Sequence, residues 1–408
     1  MPLSRRDFLK MIGVLGVGFA VSLIVSWPKL VPPLNLDAKK SIIPSPSTPE
    51  ATQDGITNEF SGIKRVKEDY FGAHYGGSAL VKGSKIGTVN RNVVRTHDYT
   101  GGSPVWRARW SRIETSPGTY DWSLLDDLVN AEHALGHSIV HTLTSCPPFY
   151  SARPDEKCGT EYGVCAPPSD LTKWDSYCEA VATRYAGRIT HYEIWNEVNV
   201  RQFWTGSKKK MSEMVRRASQ TIKNIDPSAK IIAPAVTGLY KESNLKFFVD
   251  LMNAPDNATG VLKDWVDIIN VHLHTPNLKR FDLIFAQIKN IREKMIDLKI
   301  NDMPLWNTEY SCKDPFFKNM TPQLRKNAIQ ALLTIPAAHN SGGCDVSIVY
   351  GLDNANYGLV DADDVQTWND MRRNLLNGDV TSIDWIRDFG VSAVIGGKEY
   401  LWDLRRQS

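Results

Sequence analysis

Residues 191–197 read His-Tyr-Glu-Ile-Trp-Asn-Glu, a strand-like run that closes on Asn196 and Glu197. Residues 303–310 read Met-Pro-Leu-Trp-Asn-Thr-Glu-Tyr and have the same form, because a short apolar run with strand character precedes Glu309. When such strands lie side by side in a parallel barrel, the residues that follow them gather at one end. The pattern therefore predicts that the two carboxylates face each other across one pocket.

Short apolar runs alternate with amphipathic segments along most of the chain. Helix-like segments lie at 121–135, 173–185, 211–225, 283–298 and 321–339. Such alternation predicts an α/β fold with a parallel sheet, and eight repeats in about 300 residues favour closure into a (β/α)8 TIM barrel. The eight strand candidates start near Tyr70, Val93, Ser138, Ile189, Ile231, Val266, Met303 and Val346.

The N-terminal residues 1–27 resemble a twin-arginine export signal. Ser4-Arg5-Arg6-Asp7-Phe8-Leu9-Lys10 precedes an apolar run whose length is at the lower edge of what spans a bilayer. No clear Ala-x-Ala cleavage site follows, so cleavage and retention as an inner-membrane anchor both stay open. We expect an exported protein, either periplasmic or anchored to the inner membrane and facing the periplasm.

Three further segments follow this signal. Residues 28–58 are rich in Pro, Ser and Thr and are typical of a flexible tether. We expect the barrel to occupy 59–376. Residues 377–408 would form a C-terminal extension packed on the barrel, with a small hairpin or helix at 390–404.

The composition is that of a soluble globular protein, with 42% hydrophobic and 23% charged residues in a chain of 408. The net charge of +3 is too small to indicate a nucleic-acid partner. Twelve Trp residues would suit a sugar-binding cleft but are also ordinary core residues. No Gly-x-Gly-x-x-Gly follows the first strand, which argues against a dinucleotide cofactor.

Six cysteines are compatible with an oxidising compartment. Cys158 and Cys165 flank a short polar loop and are the best candidates for a disulfide. The other cysteines cannot be paired from the sequence, and no Cys-x-x-Cys spacing suggests zinc. They are Cys146, Cys178, Cys312 and Cys344.

Two facing carboxylates are what hydrolysis of a glycosidic bond requires, one as acid and one as nucleophile or base. We assign the acid to Glu197 and expect nearby negative charge and partial burial to raise its pKa. We assign the nucleophile to Glu309, which we expect to be ionised and held in place by hydrogen-bond donors. Asn196 could hydrogen-bond a sugar hydroxyl, and Arg95, at the end of the second strand, could keep Glu309 ionised.

His272 and His274 lie two residues apart on one face of the sixth strand. Such a pair could bind zinc, but no third histidine or carboxylate is obviously placed beside it. We favour a hydrogen bond from His274 to the nucleophile or to a sugar hydroxyl, with His272 deeper in the barrel. A core role for either histidine stays open.

Aromatic residues near the predicted strand ends could form a platform for sugar rings, although core packing is an equal alternative for each. They are Trp106, Trp110, Phe149, Tyr150, Trp204, Tyr240 and Tyr310. The complete set of candidate substrate-binding residues is Asn196, Arg95, His97, His272, His274, Tyr150, Trp204 and Tyr310.

Several motifs resemble the large glycosidase clan that has its acid/base on strand four and its nucleophile on strand seven, and within it glycoside hydrolase family 39. The resemblance covers roughly residues 70–360. Its members include β-xylosidases, iduronidases and bacterial exopolysaccharide glycosidases. The motifs are Phe71-Gly72, Val94-Arg95-Thr96-His97-Asp98, Ile113-Glu114, Gly118-Thr119-Tyr120-Asp121-Trp122, Glu193-Ile194-Trp195-Asn196-Glu197, Thr308-Glu309 and Tyr357-Gly358-Leu359-Val360-Asp361.

The resemblance implies retention of anomeric configuration through a glycosyl-enzyme intermediate, with Glu197 as acid/base and Glu309 as nucleophile. The sequence departs from the family at three positions. Val198 stands where many members have Pro, His274 where Tyr is usual, and Tyr350 where strand eight commonly ends in Trp. The remaining length does not fit an accessory β-sandwich.

We therefore expect a retaining glycoside hydrolase that cleaves a polysaccharide or oligosaccharide, acts as a monomer, and needs no metal or organic cofactor. One alternative is a non-catalytic carbohydrate-binding barrel or an exopolysaccharide-assembly scaffold. Another is a metal-dependent hydrolase that uses His272 and His274.

Overall fold

The structure, a computed structural model, describes residues 65–74, 89–98, 107–275, 277–311, 320–338, 342–350, 359, 361–387 and 389–405. All of them belong to one compact unit, Phe60–Ser408. The predicted signal (1–27) and tether (28–58) lie outside the described residues, so export and anchoring stay predictions. No helix among the described residues combines the length and apolar character needed to cross a membrane.

Sixteen strands are described, and nine of them form a single parallel sheet. In chain order they are β1 (Phe71–His74), β2 (Val93–Arg95), β3 (Glu114–Ser116), β4 (Thr119–Tyr120), β5 (Ser138–Leu143), β6 (Lys157–Cys158), β7 (Glu161–Tyr162), β8 (His191–Ile194), β9 (Lys230–Ile232), β10 (Val236–Thr237), β11 (Ile269–His272), β12 (Leu305–Tyr310), β13 (Val346–Val349), β14 (Val380–Ile386), β15 (Gly390–Ile395) and β16 (Lys398–Asp403).

The large sheet closes into a barrel. Its order is β10-β11-β12-β13-β1-β2-β5-β8-β9, and β1 pairs in parallel with both β2 and β13, the last barrel strand in sequence. The fifth barrel position is shared by β9 and β10, and a parallel bridge from Ile232 to Ile268 joins β9 to the sixth position. The predicted (β/α)8 barrel is confirmed, with every strand candidate in place.

The helices cover the outside of this barrel. They are α1 (Trp110–Ile113), α2 (Ser123–Ala134), α3 (Leu171–Tyr185), α4 (Lys208–Ile225), α5 (Glu242–Met252), α6 (Asp282–Asp297), α7 (Pro322–Ala338) and α8 (Ala362–Asn377). Three of them begin with a side-chain cap. Asp170 accepts from the Thr172 amide at 2.9 Å, Ser207 from the Lys210 amide at 3.0 Å and Asp361 from the Asp364 amide at 3.0 Å.

The barrel interior is apolar at the amino ends of the strands. A separate buried cluster fills it there, made of Val93, Val140, Ile232, Ile268, Trp306, Val346 and Ile348. Gly72 allows β1 to approach β13 closely, because a Cβ at this position would lie 2.5 Å from Ile348 Cγ1 and 3.2 Å from its Cα. The polar interior residues therefore lie above this layer, at the carboxyl ends.

The C-terminal extension is a three-stranded antiparallel sheet, β14 to β16, which packs on α7. The sequence led us to expect a single hairpin or a helix. β15 and β16 form this hairpin, which turns at Gly396-Gly397 with positive φ values of 58° and 76°. The additional strand is β14, which pairs antiparallel with β15. Asn327 of α7 donates to the Asp403 carbonyl at 2.9 Å and joins the sheet to the barrel.

The predicted disulfide is present. Cys158 and Cys165 are bonded, with Cα atoms 5.6 Å apart, and close the β6–β7 hairpin in the connection after β5. Cys146 and Cys178 are buried free thiols, and Cys344 is also buried. Cys312 lies outside the described residues.

Candidate active site

The two glutamates selected from the sequence meet at the carboxyl end of the barrel. Glu197 follows β8, Glu309 lies near the end of β12, and they are 7% and 8% exposed. A carboxylate oxygen of Glu197, one of Glu309, and ring nitrogens of His272 and His274 all lie within 4.8 Å of one another. The chain thus brings two acids, far apart in sequence, to one buried point.

A β-bulge in β12 aims Glu309 into the barrel. Asn307 pairs with Val271 while Glu309 pairs with His272, so Thr308 is one extra residue on this strand. Thr308 already points inward, where its hydroxyl contacts Glu193 at 2.6 Å. Regular alternation would send Glu309 outward, but the bulge lets both neighbours face the interior.

The backbone around Glu197 adopts an uncommon conformation. Trp195 and Glu197 have φ values of 67° and 37°, in the left-handed region that side chains other than glycine seldom occupy. Neighbouring strands hold this turn, since the Trp195 amide donates to Leu143 O at 3.0 Å and the Val198 amide to Ala235 O at 3.0 Å. The sharp turn directs Glu197 over the barrel mouth instead of continuing the strand.

Arg95 joins the two sides of the site. It is fully buried, and its guanidinium donates to three different groups: Glu193 Oε2 at 2.8 Å, Glu309 Oε2 at 2.9 Å and Asn196 Oδ1 at 2.8 Å. Its five N–H donors in a rigid fork suit this branched role. The predicted contact between Arg95 and Glu309 is therefore present, and Asn196 is held by the same cation.

Glu309 is kept ionised by its surroundings. Burial alone would raise the pKa of this carboxyl, but the interaction with His272, a hydrogen bond from His274 and the charge of Arg95 outweigh burial and hold the pKa well below its usual range. A carboxylate that stays charged in a buried site is suited to act as a nucleophile.

His272 contacts the other glutamate. Its Nδ1 lies 3.0 Å from Glu197 Oε1, and its Nε2 lies 3.2 Å from Thr308 Oγ1. The sequence predicted that His272 sits deeper than His274 and counted it among the candidate substrate-binding residues. The structure shows that it also bridges Glu197 to the polar layer beneath the site.

His274 hydrogen-bonds Glu309, as predicted. Its Nε2 lies 3.1 Å from Glu309 Oε1, and its Nδ1 lies 3.1 Å from Ser311 Oγ. An ionised carboxylate only accepts, so Nε2 carries the proton and, in the neutral ring, Nδ1 accepts from Ser311. The histidine thus takes up a donor position beside the carboxylate.

No third ligand was evident beside the histidine pair from the sequence. The structure corrects this, because Glu197 and Glu309 complete a set of four possible metal ligands. Each of the four, however, already has a hydrogen-bonding partner in the set, and Arg95 stands 2.9 Å from Glu309. A guanidinium at this distance repels a cation, so the residues fit proton transfer better than metal binding.

Glu193 is the residue of this site that the sequence did not single out. It is fully buried and also accepts from the side chains of Thr142 and Asn270. Burial raises its pKa, but the charge of Arg95 and the neighbouring donors outweigh burial and lower the pKa to about 2. The available signal was an acidic residue at an inward position of an otherwise apolar strand.

A second polar cluster lies beside Arg95 at the ends of β1 and β2. His97 Nδ1 and the Arg109 guanidinium approach Asp98 Oδ1 at 2.9 and 2.8 Å, and the Asp98 amide donates to His74 Nε2 at 3.2 Å. Burial, then Arg95, lowers the pKa of His74 to about 3, so this ring is neutral at pH 7. The candidate residue His97 therefore sits in an ordered ion-pair cluster.

The aromatic candidate Tyr310 points away from the site, and we correct its assignment; the role of Trp204 in substrate binding stays a prediction. The Tyr310 hydroxyl donates to Leu332 O in α7, so its ring lies between the barrel and the helix layer. The bulge at Thr308 explains this outward direction. Trp204 is 5% exposed and packs against Trp195 with ring centroids 5.0 Å apart, within the core.

Tyr150 contacts residues other than the two glutamates. Its hydroxyl donates to Glu114 Oε1 at 2.9 Å, and its ring lies 6.1 Å from that of Trp110. Its role in substrate binding stays a prediction. Trp106 and the segment 357–358 lie outside the described residues.

A cavity of about 550 Å³ lies at the opposite end of the barrel. It is lined by residues at the amino ends of the strands, including His191, Lys230 and Trp306. Active sites of such barrels lie at the carboxyl ends, and the acidic pair lies there too. We therefore place the candidate site at the carboxyl end.

Comparison with known sequences identifies glycosidases. The sequence model of glycosyl hydrolases family 39 matches residues 158–333 of this chain. The beta-xylosidase of Geobacillus stearothermophilus is 25% identical over 177 residues, which cover 36% of this chain and 32% of that protein. The chain thus matches about a third of the length of this curated relative. The resemblance to family 39 is confirmed, and these matches support a glycosidase.

Solved structures share the barrel. A glucosidase from Croceicoccus marinus superposes with a TM-score of 0.55 at 15% identity, covering 83% of this chain and 76% of that one. A family 39 glycoside hydrolase from Bacteroides cellulosilyticus gives 0.56 at 15%, covering 82% and 70%. A monomeric beta-xylosidase from Caulobacter crescentus gives 0.56 at 16%, covering 82% and 75%. At these identities the likeness establishes the fold.

The Glu193→Gln variant tests the buried polar layer. It keeps the shape of the side chain but removes the charge opposite Arg95, and loss of one partner of a buried ion pair costs about 3 kcal/mol. We expect this loss in the free energy of unfolding at pH 7, measured by urea denaturation. Because the pKa of Glu193 is lowered from 4.5 to about 2, the deficit should shrink as pH falls between these values.

The exposed Glu179 on α3 provides the matched control. Glu179→Gln should change the free energy of unfolding by less than about 0.5 kcal/mol. Equal stability of Glu193→Gln and the native chain at pH 7 would show that Glu193 does not stabilise the site.

Proposed function

We propose that this chain is a retaining glycoside hydrolase that cleaves an oligosaccharide or polysaccharide by double displacement. One observation carries the proposal: oxygens of Glu197 and Glu309 lie within 4.8 Å of each other and have different partners. Retaining enzymes hold their two carboxyl groups about 5 Å apart, whereas inverting enzymes need roughly 6.5–9.5 Å to admit a water molecule. The family match supports the same conclusion.

In the first step Glu309 is the nucleophile. Its ionised oxygen attacks the anomeric carbon, a bond forms between them, and the bond from that carbon to the leaving oxygen breaks. Glu197 donates its proton to the leaving oxygen. In the second step Glu197, now a carboxylate, takes a proton from water, which attacks the anomeric carbon and frees Glu309 with the original configuration restored.

His272 is placed to accommodate both states of Glu197. When Nε2 of the neutral ring donates to Thr308, Nδ1 has a lone pair that accepts from the protonated carboxyl 3.0 Å away. When Glu197 is ionised, a proton on Nδ1 of His272 can donate to it. The histidine can therefore keep a hydrogen bond to the acid/base throughout the cycle.

Asn196 and Arg95 prepare the site for the sugar ring. The Asn196 oxygen accepts from Arg95, which turns its amide nitrogen into a donor for the substrate. A hydroxyl next to the reacting carbon is the expected acceptor, and this contact strengthens in the transition state. The same guanidinium also holds Glu309. Arg95 therefore positions both the nucleophile and, through Asn196, the sugar ring.

Glu197→Ala tests the acid/base assignment. We expect turnover of oligosaccharides to fall by roughly 10²–10⁴-fold, because the leaving oxygen is no longer protonated. With a dinitrophenyl glycoside, whose leaving group needs no acid, added azide should replace water and restore turnover. The product, a glycosyl azide of retained configuration, is identified by proton NMR. Absence of rescue at every azide concentration would contradict the assignment.

His274→Phe tests the electrostatic control of the nucleophile. His274 helps to hold the pKa of Glu309 low, so its removal should raise that pKa. Since Glu309 must be ionised to attack, the acidic limb of the kcat/KM profile should move to higher pH. His133→Phe, at an exposed position on α2, should leave the profile in place. An unmoved acidic limb in His274→Phe would rule out this role.

A further inference from the structure

Three exposed aromatic residues lie together at the carboxyl end of the barrel. Within the described part of the chain, the large aromatic side chains most open to solvent are Phe149, Tyr162 and Tyr240, which are 45%, 55% and 38% exposed. All three lie in connections that leave the carboxyl ends of barrel strands. A single exposed apolar residue needs no explanation. Three exposed aromatic residues at the end of the barrel that holds the two carboxylates do need one.

These connections flank the one that carries the acid/base. Phe149 and Tyr162 follow β5, and Tyr240 follows β10. In the barrel β5 pairs with β8 on one side, and β9 and β10 occupy the next position on the other. The aromatic residues therefore lie on both sides of the loop that begins at Glu197.

Direct bonds join the Tyr162 hairpin to that loop. The Thr205 amide donates to Cys165 O at 2.9 Å, and its hydroxyl donates to Glu156 Oε2 at 2.7 Å. At the other side of the hairpin, Arg112 donates to Glu161 Oε1 at 2.5 Å. With the Cys158–Cys165 bond, these contacts hold Tyr162 in place although its ring is exposed.

The Tyr240 segment is attached to the same loop. Asn199 exchanges two hydrogen bonds with Thr237: its side chain donates to the Thr237 carbonyl at 2.9 Å and accepts from the Thr237 amide at 3.1 Å. Leu239, next to Tyr240, donates through its amide to Gln287 Oε1 at 3.1 Å. Both aromatic segments are thus preorganised relative to the acid/base.

We propose that Phe149, Tyr162 and Tyr240 form subsites for sugar units on the leaving-group side, so that the substrate is an oligosaccharide or polysaccharide chain and not a simple glycoside. This inference rests on the proposed function. Glu197 must contact the leaving oxygen, so the departing part of the substrate lies on its side of the pocket. Aromatic faces suit the C–H faces of neutral sugar rings, and the hydroxyl groups of Tyr162 and Tyr240 can also hydrogen-bond sugar hydroxyls.

The test compares short and long substrates. The probes are p-nitrophenyl β-xyloside and β-glucoside, whose leaving group is a single ring, and xylotetraose and cellotetraose. We expect Tyr162→Ala and Tyr240→Ala each to lower kcat/KM for the preferred tetrasaccharide about 5- to 10-fold, several times more than for the matching aryl glycoside. Tyr162→Phe should restore most of the loss. Leu135→Ala, an exposed residue at the other end of the barrel, should change neither.

Binding to an inactivated protein separates the two proposals. In the Glu309→Gln background, calorimetry should show weaker tetrasaccharide binding after Tyr162→Ala by the same factor. If the native chain hydrolyses glycosides but the aromatic variants affect both substrates equally, or neither, the subsites are refuted. If the native chain hydrolyses none of the substrates but Tyr162→Ala weakens tetrasaccharide binding, the subsites are supported and the proposed hydrolysis is refuted. Absence of any tetrasaccharide binding would also overturn the subsites.

Discussion

One buried cation holds this site together. The Arg95 guanidinium is removed from water and is balanced by Glu193 below and Glu309 above, with Asn196 as its third acceptor. Removing an ion from water is costly, and only close, well-directed partners offset that cost. The partners must therefore stay where they are, and the fixed position of Arg95 determines where the nucleophile points. Glu197 hydrogen-bonds His272, whereas Glu309 pairs with Arg95 and His274, which gives the two acids different environments.

The fold and the acidic pair could be predicted because their signals are local. Each barrel strand is a short apolar run between turn residues, and eight such runs separated by helical segments leave few alternatives to a closed parallel sheet. Glu197 and Glu309 stand at the ends of two such runs, where a barrel gathers its functional side chains. Arg95 and His274 followed from the same reasoning, since each stands at or just after the end of a barrel strand.

What could not be predicted depends on side-chain direction and on contacts between distant strands. The extra residue Thr308 leaves no trace in the apolar pattern, yet it turns Glu309 inward and Tyr310 outward, and so removes Tyr310 from the candidate site. Trp204 follows the acid/base closely in sequence but packs on Trp195 in the core. The importance of Glu193 becomes visible only when β2, β5, β11 and β12 bring their polar residues to it.

The central claim is that Glu309 forms a covalent bond to the sugar while Glu197 handles the proton. The most direct measurement incubates the protein with a 2-deoxy-2-fluoro glycoside that carries a good leaving group, digests it, and locates the added mass by peptide mass spectrometry. The account predicts that one glycosyl group is attached to Glu309 and that the fraction of activity lost equals the fraction of protein labelled. A label on another residue, or turnover of this reagent without any adduct, would contradict it.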